Sequence, residues 1–383
     1  MNKILIDATP YIPGGVTGAG RIIYQLIAHL AQLDRENQYL IFGFAPRIWE
    51  PNQLPPNFSY RQIPLYRWLG PFAQELARRQ FVGKTVTLRQ VDVVHCTLEM
   101  IPLYDEHTKV LFSLYDLARS SPHFMYSAPQ NLRSMARTFL RYRLARRADV
   151  IHTISKYSAD QIASRLRIER GRIRIIYPGF DPRFQPGEPE PEVLRRHALP
   201  PQRYFLFVGE FGRQKNEEGL IRAFFAAHAE SRLDATMRLA LIGDPANLRE
   251  STRHMITQNP RGSLLSFLGR VSDEDLLHLY RGAAAVVLPS FYEGFGLPVL
   301  EAMACGIVPI VSQVTSLPEV VGDAGLIVPP GDVKELAGAM GRIAADRELR
   351  EKLAERALLR TTQFSFSAMA RAQLELYQEM CHD

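Results

Sequence analysis

No apolar run in this chain of 383 residues reaches the roughly 18 residues that a membrane-spanning helix needs; the longest candidate is residues 283–291. Cysteine is scarce. Cys96, Cys305 and Cys381 are odd in number, far apart and in no disulfide or zinc spacing, so a reducing, cytoplasmic setting is expected. The first residues, MNKILIDATP, lack the apolar core of a signal peptide and read as a strand. There is no low-complexity tract and no short-period repeat. With 46% hydrophobic and 22% charged residues, the composition excludes long disorder and fibrous architecture. No G-x-G-x-x-G follows a strand, which weakens a dinucleotide-binding reading. Gly15 and Gly20 have the glycine spacing of a phosphate loop, but Arg21 and Ile22 stand where Lys and Ser/Thr are required, so an NTPase is poorly supported.

What is present is an uneven charge. Residues 1–178 hold 24 Lys and Arg against 13 Asp and Glu, a balance of +11, while the remainder holds 22 against 27, or −5. A basic half joined to a mildly acidic half suggests two domains facing different surroundings. The densest basic segment carries Arg133, Arg137, Arg141, Arg143, Arg146 and Arg147. Met135, Phe139, Leu140 and Leu144 recur there at near-helical spacing, which predicts an amphipathic helix. Its basic side is either an ordinary solvated face or a surface for an anionic membrane or acceptor. Nucleic acid is not an expected partner, because no recognised binding module accompanies the charge.

Apolar runs rich in β-branched residues alternate with helical patterns. KILIDA, QYLIFGF, DVVHC, KVLFSLYD, DVIHTIS and RIRIIY read as a first series of strands; YFLFVGE, MRLALIG, LLSFLG, AAVVLPS, IVPIVS and GLIVPP read as a second. Helical stretches such as RIIYQLIAHLAQLD, SKYSADQIASRL (capped by Ser155 or Ser158), EEGLIRAFFAAHAES and DEDLLHLYRGA lie between them. Repeated strand-then-helix order implies parallel sheets covered on both faces. Seven prolines between Pro178 and Pro201 deny that segment both helix and ladder hydrogen bonds and mark a linker. The expected fold is α/β, two Rossmann-like doubly wound parallel-sheet domains facing a cleft. An N-terminal domain would cover 1–180 and a C-terminal domain 181–365, with a last helix in 366–383 packing back on the N-terminal domain.

Residues 288–312, LPSFYEGFGLPVLEAMACGIVPIVS, carry the most chemistry. A buried strand ends at Pro289, a tight loop holds Gly294 and Gly296, and a short helix runs from about Leu297 to Ala304, ended by Gly306. Pro298 suits the first turn, where its missing N–H is no loss. Backbone N–H groups at a glycine-flanked helix start suit an anion such as a diphosphate. Glu293 in the loop and Glu301 in the helix can each accept hydrogen bonds from sugar hydroxyls. On spacing alone, a solvated helix acid beside a tight turn accounts for the pair better. In residues 207–224, FVGEFGRQKNEEGLIRAF, Arg213 and Lys215 fall in a strand-to-helix turn; they can neutralise a departing diphosphate or simply be solvated. Asp273 and Asp275 spell a D-x-D, but with Ser272 ahead of them they form a capping box and first-turn acids rather than a metal motif.

The string EGFGLPVLEAMACG resembles the nucleotide-sugar site of family 4 glycosyltransferases, in which two glutamates eight residues apart flank a GFGLP-like loop. The resemblance runs from ILIDA to the terminal helix, most closely over residues 204–332 and least over 45–90. It implies the GT-B fold and a retaining transfer of a sugar from a nucleotide diphosphate donor, with no metal and no other cofactor. Glu301 would hold the ribose diol. Glu293 and the backbone of Gly294, Phe295, Gly296 and Leu297 would hold the transferred sugar. The turn before Asn216 resembles the family's VG…KN loop, with Lys215 as a phosphate contact; Gln214 stands where a basic residue is usual, and Arg213 lies one position earlier. TGAGR, with Gly18 and Gly20, resembles a TGIGR loop whose glycine backbone approaches the donor, and Val271 in GRVS would reach the base. The family's His-Asp pair is Tyr115-Asp116 here. A tyrosine, with an ordinary pKa of about 10, is no base at neutral pH, and His123 is a nearby imidazole. The implied partners are a nucleotide sugar, with GDP-mannose slightly favoured, and a glycan or lipid-linked acceptor, in the synthesis of cell-surface polysaccharide or glycoconjugate, by a cytoplasmic protein that can sit peripherally on the inner membrane face. A nucleotide-sugar epimerase and a non-catalytic nucleotide-sugar-binding protein are the alternatives.

Overall fold

The computed structural model describes residues 1–10, 18–44, 54–62, 91–97, 107–117 and 132–382. They form two compact units. The first takes in the described residues up to 117, then 132–179 and 364–382; the second is 180–363.

In the first unit the chain runs through β1 (Lys3–Asp7), α1 (Gly18–Leu33), β2 (Gln38–Gly43), β3 (Phe58–Gln62), β4 (Val93–Cys96), β5 (Lys109–Ser113), α2 (Leu132–Ala145), β6 (Val150–Thr153), α3 (Lys156–Leu166) and β7 (Ile173–Ile175). Its seven strands are all parallel, in the order β3-β2-β1-β4-β5-β6-β7. In α1, Ile22, Ile23, Leu26, Ile27 and Leu30 form a buried stripe, each side chain worth roughly 1.5–3 kcal/mol of transfer free energy. Of the two candidate caps of α3, Ser155 serves: its hydroxyl accepts from the N–H of Ser158 at 3.0 Å.

The second unit continues with α4 (Pro191–Arg196), β8 (Tyr204–Val208), α5 (Glu217–Ala229), β9 (Arg238–Ile242), α6 (Glu250–Gln258), β10 (Leu265–Gly269), α7 (Asp273–Gly282), β11 (Ala285–Leu288), α8 (Leu297–Ala304), β12 (Pro309–Ser312), α9 (Leu317–Val321), β13 (Leu326–Val328), α10 (Val333–Ala345) and α11 (Arg347–Thr361). Its six parallel strands follow the order β10-β9-β8-β11-β12-β13. The order reverses between β8 and β11, so the connections leaving these adjacent strands diverge at their carboxyl ends, where open α/β sheets take ligands. The last helix, α12 (Phe366–His382), belongs to the first unit, and its buried stripe of Phe366, Met369, Ala370, Leu376, Tyr377 and Met380 packs along α1.

Two elements differ from the sequence reading. The proline-rich segment is not all linker, because α4 forms within it: Pro191 occupies the first turn, where no N–H is needed, and Val193 and Leu194 are buried. Edge strand β3 carries only one buried residue, Phe58, and so gave no apolar run to read. Among the described residues no helix is long and apolar enough to cross a membrane.

Candidate functional site

The loops that follow β8 and β11, residues 209–216 and 289–296, are bonded to each other. The N–H of Phe291 donates to the Gln214 carbonyl at 2.8 Å, and Gln214 Nε2 donates to the Tyr292 carbonyl at 3.1 Å. Asn216 Nδ2 donates to the Pro289 carbonyl at 3.0 Å. Gln214, standing where a basic residue is usual, thus uses its amide to tie the two loops. Asn216 has left-handed backbone, φ 55°, a region asparagine visits more readily than most residues. Gly219 makes room for it, since a Cβ there would stand 2.4 Å from Asn216 Oδ1.

This stitching brings together two of the residues singled out in the sequence. Lys215 Nζ lies 2.8 Å from Glu293 Oε1 and 2.7 Å from Oε2, with side chains 20% and 9% exposed. The Glu293 N–H donates to Thr315 Oγ1 at 3.2 Å, and Ser316 Oγ donates to the carbonyls of Glu293 and Phe295 at 3.3 and 3.1 Å. Thr315 and Ser316, which sequence reasoning missed, lie three and four residues beyond the end of β12; adjacent hydroxyl residues in the loop after a buried strand were the available signal. Glu217, also missed, is fully buried, accepts from the Gly212 N–H at 3.0 Å and has Arg249 Nε at 3.7 Å, so it braces the loop that carries Lys215 and the exposed Arg213.

Gly296 begins α8 with φ 101°, so the backbone favours glycine, and a Cβ there would stand 2.8 Å from Leu317 Cδ2 and force that side chain to shift. Gly294 and buried Phe295 complete the loop, and Leu297 opens the helix at the positive end of its dipole. Glu301, within α8, is 4% exposed and accepts from the Tyr280 hydroxyl at 3.0 Å. Neither Glu293 nor Glu301 is a solvated surface acid. Val271 is half-buried in the turn before α7. That helix is capped by Ser272, whose hydroxyl accepts from the Asp275 N–H at 3.0 Å, and Asp273 and Asp275 pair with Arg183 and Arg196 at 3.2 and 2.6 Å.

The family described as Glycosyl transferases group 1 matches residues 191–360, and that described as Glycosyltransferase Family 4 matches residues 16–184. The chain belongs to the group 1, family 4 glycosyltransferases. This family 4 member is 35% identical over 233 residues to the O-antigen chain mannosyltransferase B of Escherichia coli, a match over 60% of this chain and 61% of that protein. It is 31% identical over 233 residues to the serotype-specific mannosyltransferase WbdA of Escherichia coli, over 60% of this chain and 28% of that one. The chain spans less than two thirds of the length of either relative. The structure of the sucrose-phosphate synthase from Thermosynechococcus elongatus superposes with a TM-score of 0.76 over 99% of both chains at 22% identity, so the fold is GT-B.

Gly18, Gly20, Tyr115 and Asp116 belong to the first unit. Gly18 is exposed as the first residue of α1, and Gly20 is buried. Gly15 and His123 lie outside the described residues. Asp116 is half-buried just after β5. Tyr115 is buried, 6% exposed. Its ring meets that of His152 edge-on at 5.6 Å, and its hydroxyl has Ser113 beside it but no hydrogen bond of good geometry among the described residues. Burial pushes its pKa up, still further from that of a base at neutral pH. Sequence reasoning also missed Asp7, buried at the end of β1, where it accepts from the N–H of Thr9 at 2.9 Å and of Thr97 at 3.4 Å. Burial raises its pKa.

Proposed function

We propose that this chain transfers a sugar from a nucleotide diphosphate donor to a glycan or lipid-linked acceptor, with retention of configuration and without a metal. The observation that carries the reading is the convergence of Lys215, Glu293 and the Gly296-capped start of α8 in two bonded loops at the switch point of a parallel sheet. In the proposed reaction the bond from the anomeric carbon to the diphosphate oxygen breaks. A bond from the acceptor hydroxyl oxygen forms on the same face, and the acceptor's proton passes to the departing phosphate. Lys215, Arg213 and the α8 dipole neutralise the charge that builds on that group. Glu301 accepts from the ribose hydroxyls, and Glu293 with the backbone of Gly294, Phe295, Gly296 and Leu297 holds the sugar. Gly18 and Gly20 approach the donor through their backbone, Val271 meets the base, and Tyr115 and Asp116 stand in for the family's His-Asp pair.

The mannosyltransferase relatives support GDP-mannose as the donor and surface polysaccharide as the product. Exposed Phe139, beside exposed Arg143, Arg146 and Arg147 at the end of α2, supports work at the inner face of a membrane through contact with anionic lipid. Incubation with GDP-mannose or UDP-glucose, with and without a polyprenyl-diphosphate-linked glycan, tests the reading. Acceptor-dependent release of nucleoside diphosphate is the expected result. Acceptor-independent epimerisation of the donor would make it an epimerase, and tight binding without turnover a binding protein. Sedimentation with phosphatidylglycerol vesicles tests the membrane contact.

A further inference from the structure

We propose that Tyr280 is a positioning residue for the nucleotide: its hydroxyl fixes the carboxylate that grips the ribose. The proposal rests on the reading of Glu301 as the holder of the ribose diol. Tyr280 lies in the last turns of α7 and Glu301 in the middle of α8, and the phenol O–H donates to Glu301 Oε2 at 3.0 Å. Tyr280 exposes no surface, so this charge-assisted bond forms away from water, where such bonds are strong. The ring is held on its other sides. It meets Phe184 edge-on at 5.6 Å and shares an apolar cluster with Leu276, Leu279, Ala302 and Cys305.

Packing alone would be served as well by phenylalanine, which carries no hydroxyl to bury. What the hydroxyl adds is orientation. A glutamate side chain that must meet two vicinal hydroxyls loses rotamer freedom on binding, and a bond that fixes it beforehand removes part of that cost from the binding step. The helix that spells D-x-D at its start therefore acts on the nucleotide from its far end, through Tyr280, and not through those acids.

Calorimetric titration with GDP and UDP, and with their 2′,3′-dideoxy counterparts, tests this in the wild type, Tyr280→Phe, Glu301→Gln and the double variant, each checked for folding by thermal melting. Tyr280→Phe is expected to weaken the ribonucleotide about tenfold and the dideoxynucleotide less than about twofold. The double variant is expected to bind no more weakly than Glu301→Gln alone, because one residue acts through the other. Replacing Tyr280 by 4-aminophenylalanine, which restores a donor, recovers most of the loss. Suppose Tyr280→Phe weakens both nucleotides equally, or neither, while Glu301→Gln selectively weakens the ribonucleotide. Tyr280 is then merely structural, and the Glu301 reading stands without it. If the wild type binds neither nucleotide, does not distinguish ribose from dideoxyribose, or is matched by Glu301→Gln, the Glu301 reading fails and takes the proposal with it.

Discussion

Lys215 donates to both carboxylate oxygens of Glu293, at 2.8 and 2.7 Å, across 78 residues of sequence. A diphosphate that takes this ammonium must take it from Glu293. Glu293→Gln is therefore expected to bind GDP, which lacks the transferred sugar that Glu293 would hold, roughly three- to tenfold more tightly while turning over more slowly. Lys215→Ala is expected to lower turnover by about two to three powers of ten. It also lowers the melting temperature, because a 9% exposed carboxylate loses its cation. Calorimetry with GDP decides the first point: no gain in affinity in Glu293→Gln would remove Lys215 as the diphosphate contact.

The stitch between the loops predicts an ordering of variants at Asn216. This residue needs both a left-handed backbone, φ 55°, and an amide that reaches the Pro289 carbonyl. Glycine keeps the backbone and loses the amide; alanine loses the amide and strains the backbone by about 1 kcal/mol more. Denaturant unfolding should rank wild type above Asn216→Gly and Asn216→Gly above Asn216→Ala. Equal stability of the two variants would show that the backbone geometry carries no cost.

The parts of this molecule that read directly from sequence are those fixed by local chemistry. Helix α8 runs from Leu297 to Ala304 because Gly296, Pro298 and Gly306 punctuate both its ends. The central strands read as strands because helices cover both faces and their residues are apolar throughout. Edge strand β3 did not, since FSYRQ buries a single side chain. The partners of the site residues were not legible either. Tyr280 meets Glu301 from 21 residues away, and Ser316 meets the Glu293 carbonyl from 23. Nothing in local spacing distinguishes such a tyrosine or serine from core or surface.

Gln373 points to a stabilising substitution. It lies on the buried stripe of α12 with no exposed surface, and neither its Nε2 nor its Oε1 has a hydrogen-bond partner among the described residues. A buried amide without partners costs about 1–3 kcal/mol relative to an apolar side chain of similar shape. Gln373→Met, which keeps the length and drops both polar atoms, should raise the melting temperature. A lower melting temperature would mean that the amide is bonded after all.

Acid sensitivity follows from a buried string of hydrogen bonds across the first sheet. His95 Nδ1 lies 2.6 Å from the Tyr377 hydroxyl and its Nε2 2.7 Å from Ser113 Oγ; His152 Nδ1 lies 2.9 Å from the same Oγ and its Nε2 3.3 Å from the Ile176 carbonyl. The carbonyl can only accept, so His152 donates from Nε2, and a neutral ring then accepts from Ser113 at Nδ1. Ser113 in turn accepts from His95 Nε2, and His95 accepts from Tyr377, so each donor has one acceptor only while both rings are neutral. Burial holds His95 well below its ordinary pKa and lowers His152 to about 4. Well above pH 6.5 the folded and unfolded chains bind the same number of protons at these rings. As pH falls from 6.5 toward 4, the unfolded chain takes up protons that the folded one refuses, and stability is lost. Asp7, whose carboxyl is raised, works in the opposite direction. At pH 5 the cost from His152 alone is roughly 2 kcal/mol. Guanidinium unfolding at pH 7.5, 6 and 5 should show this decline, and His152→Gln, which cannot protonate, should make it shallower. A His152→Gln decline as steep as that of the wild type would show that this imidazole is not the group held neutral.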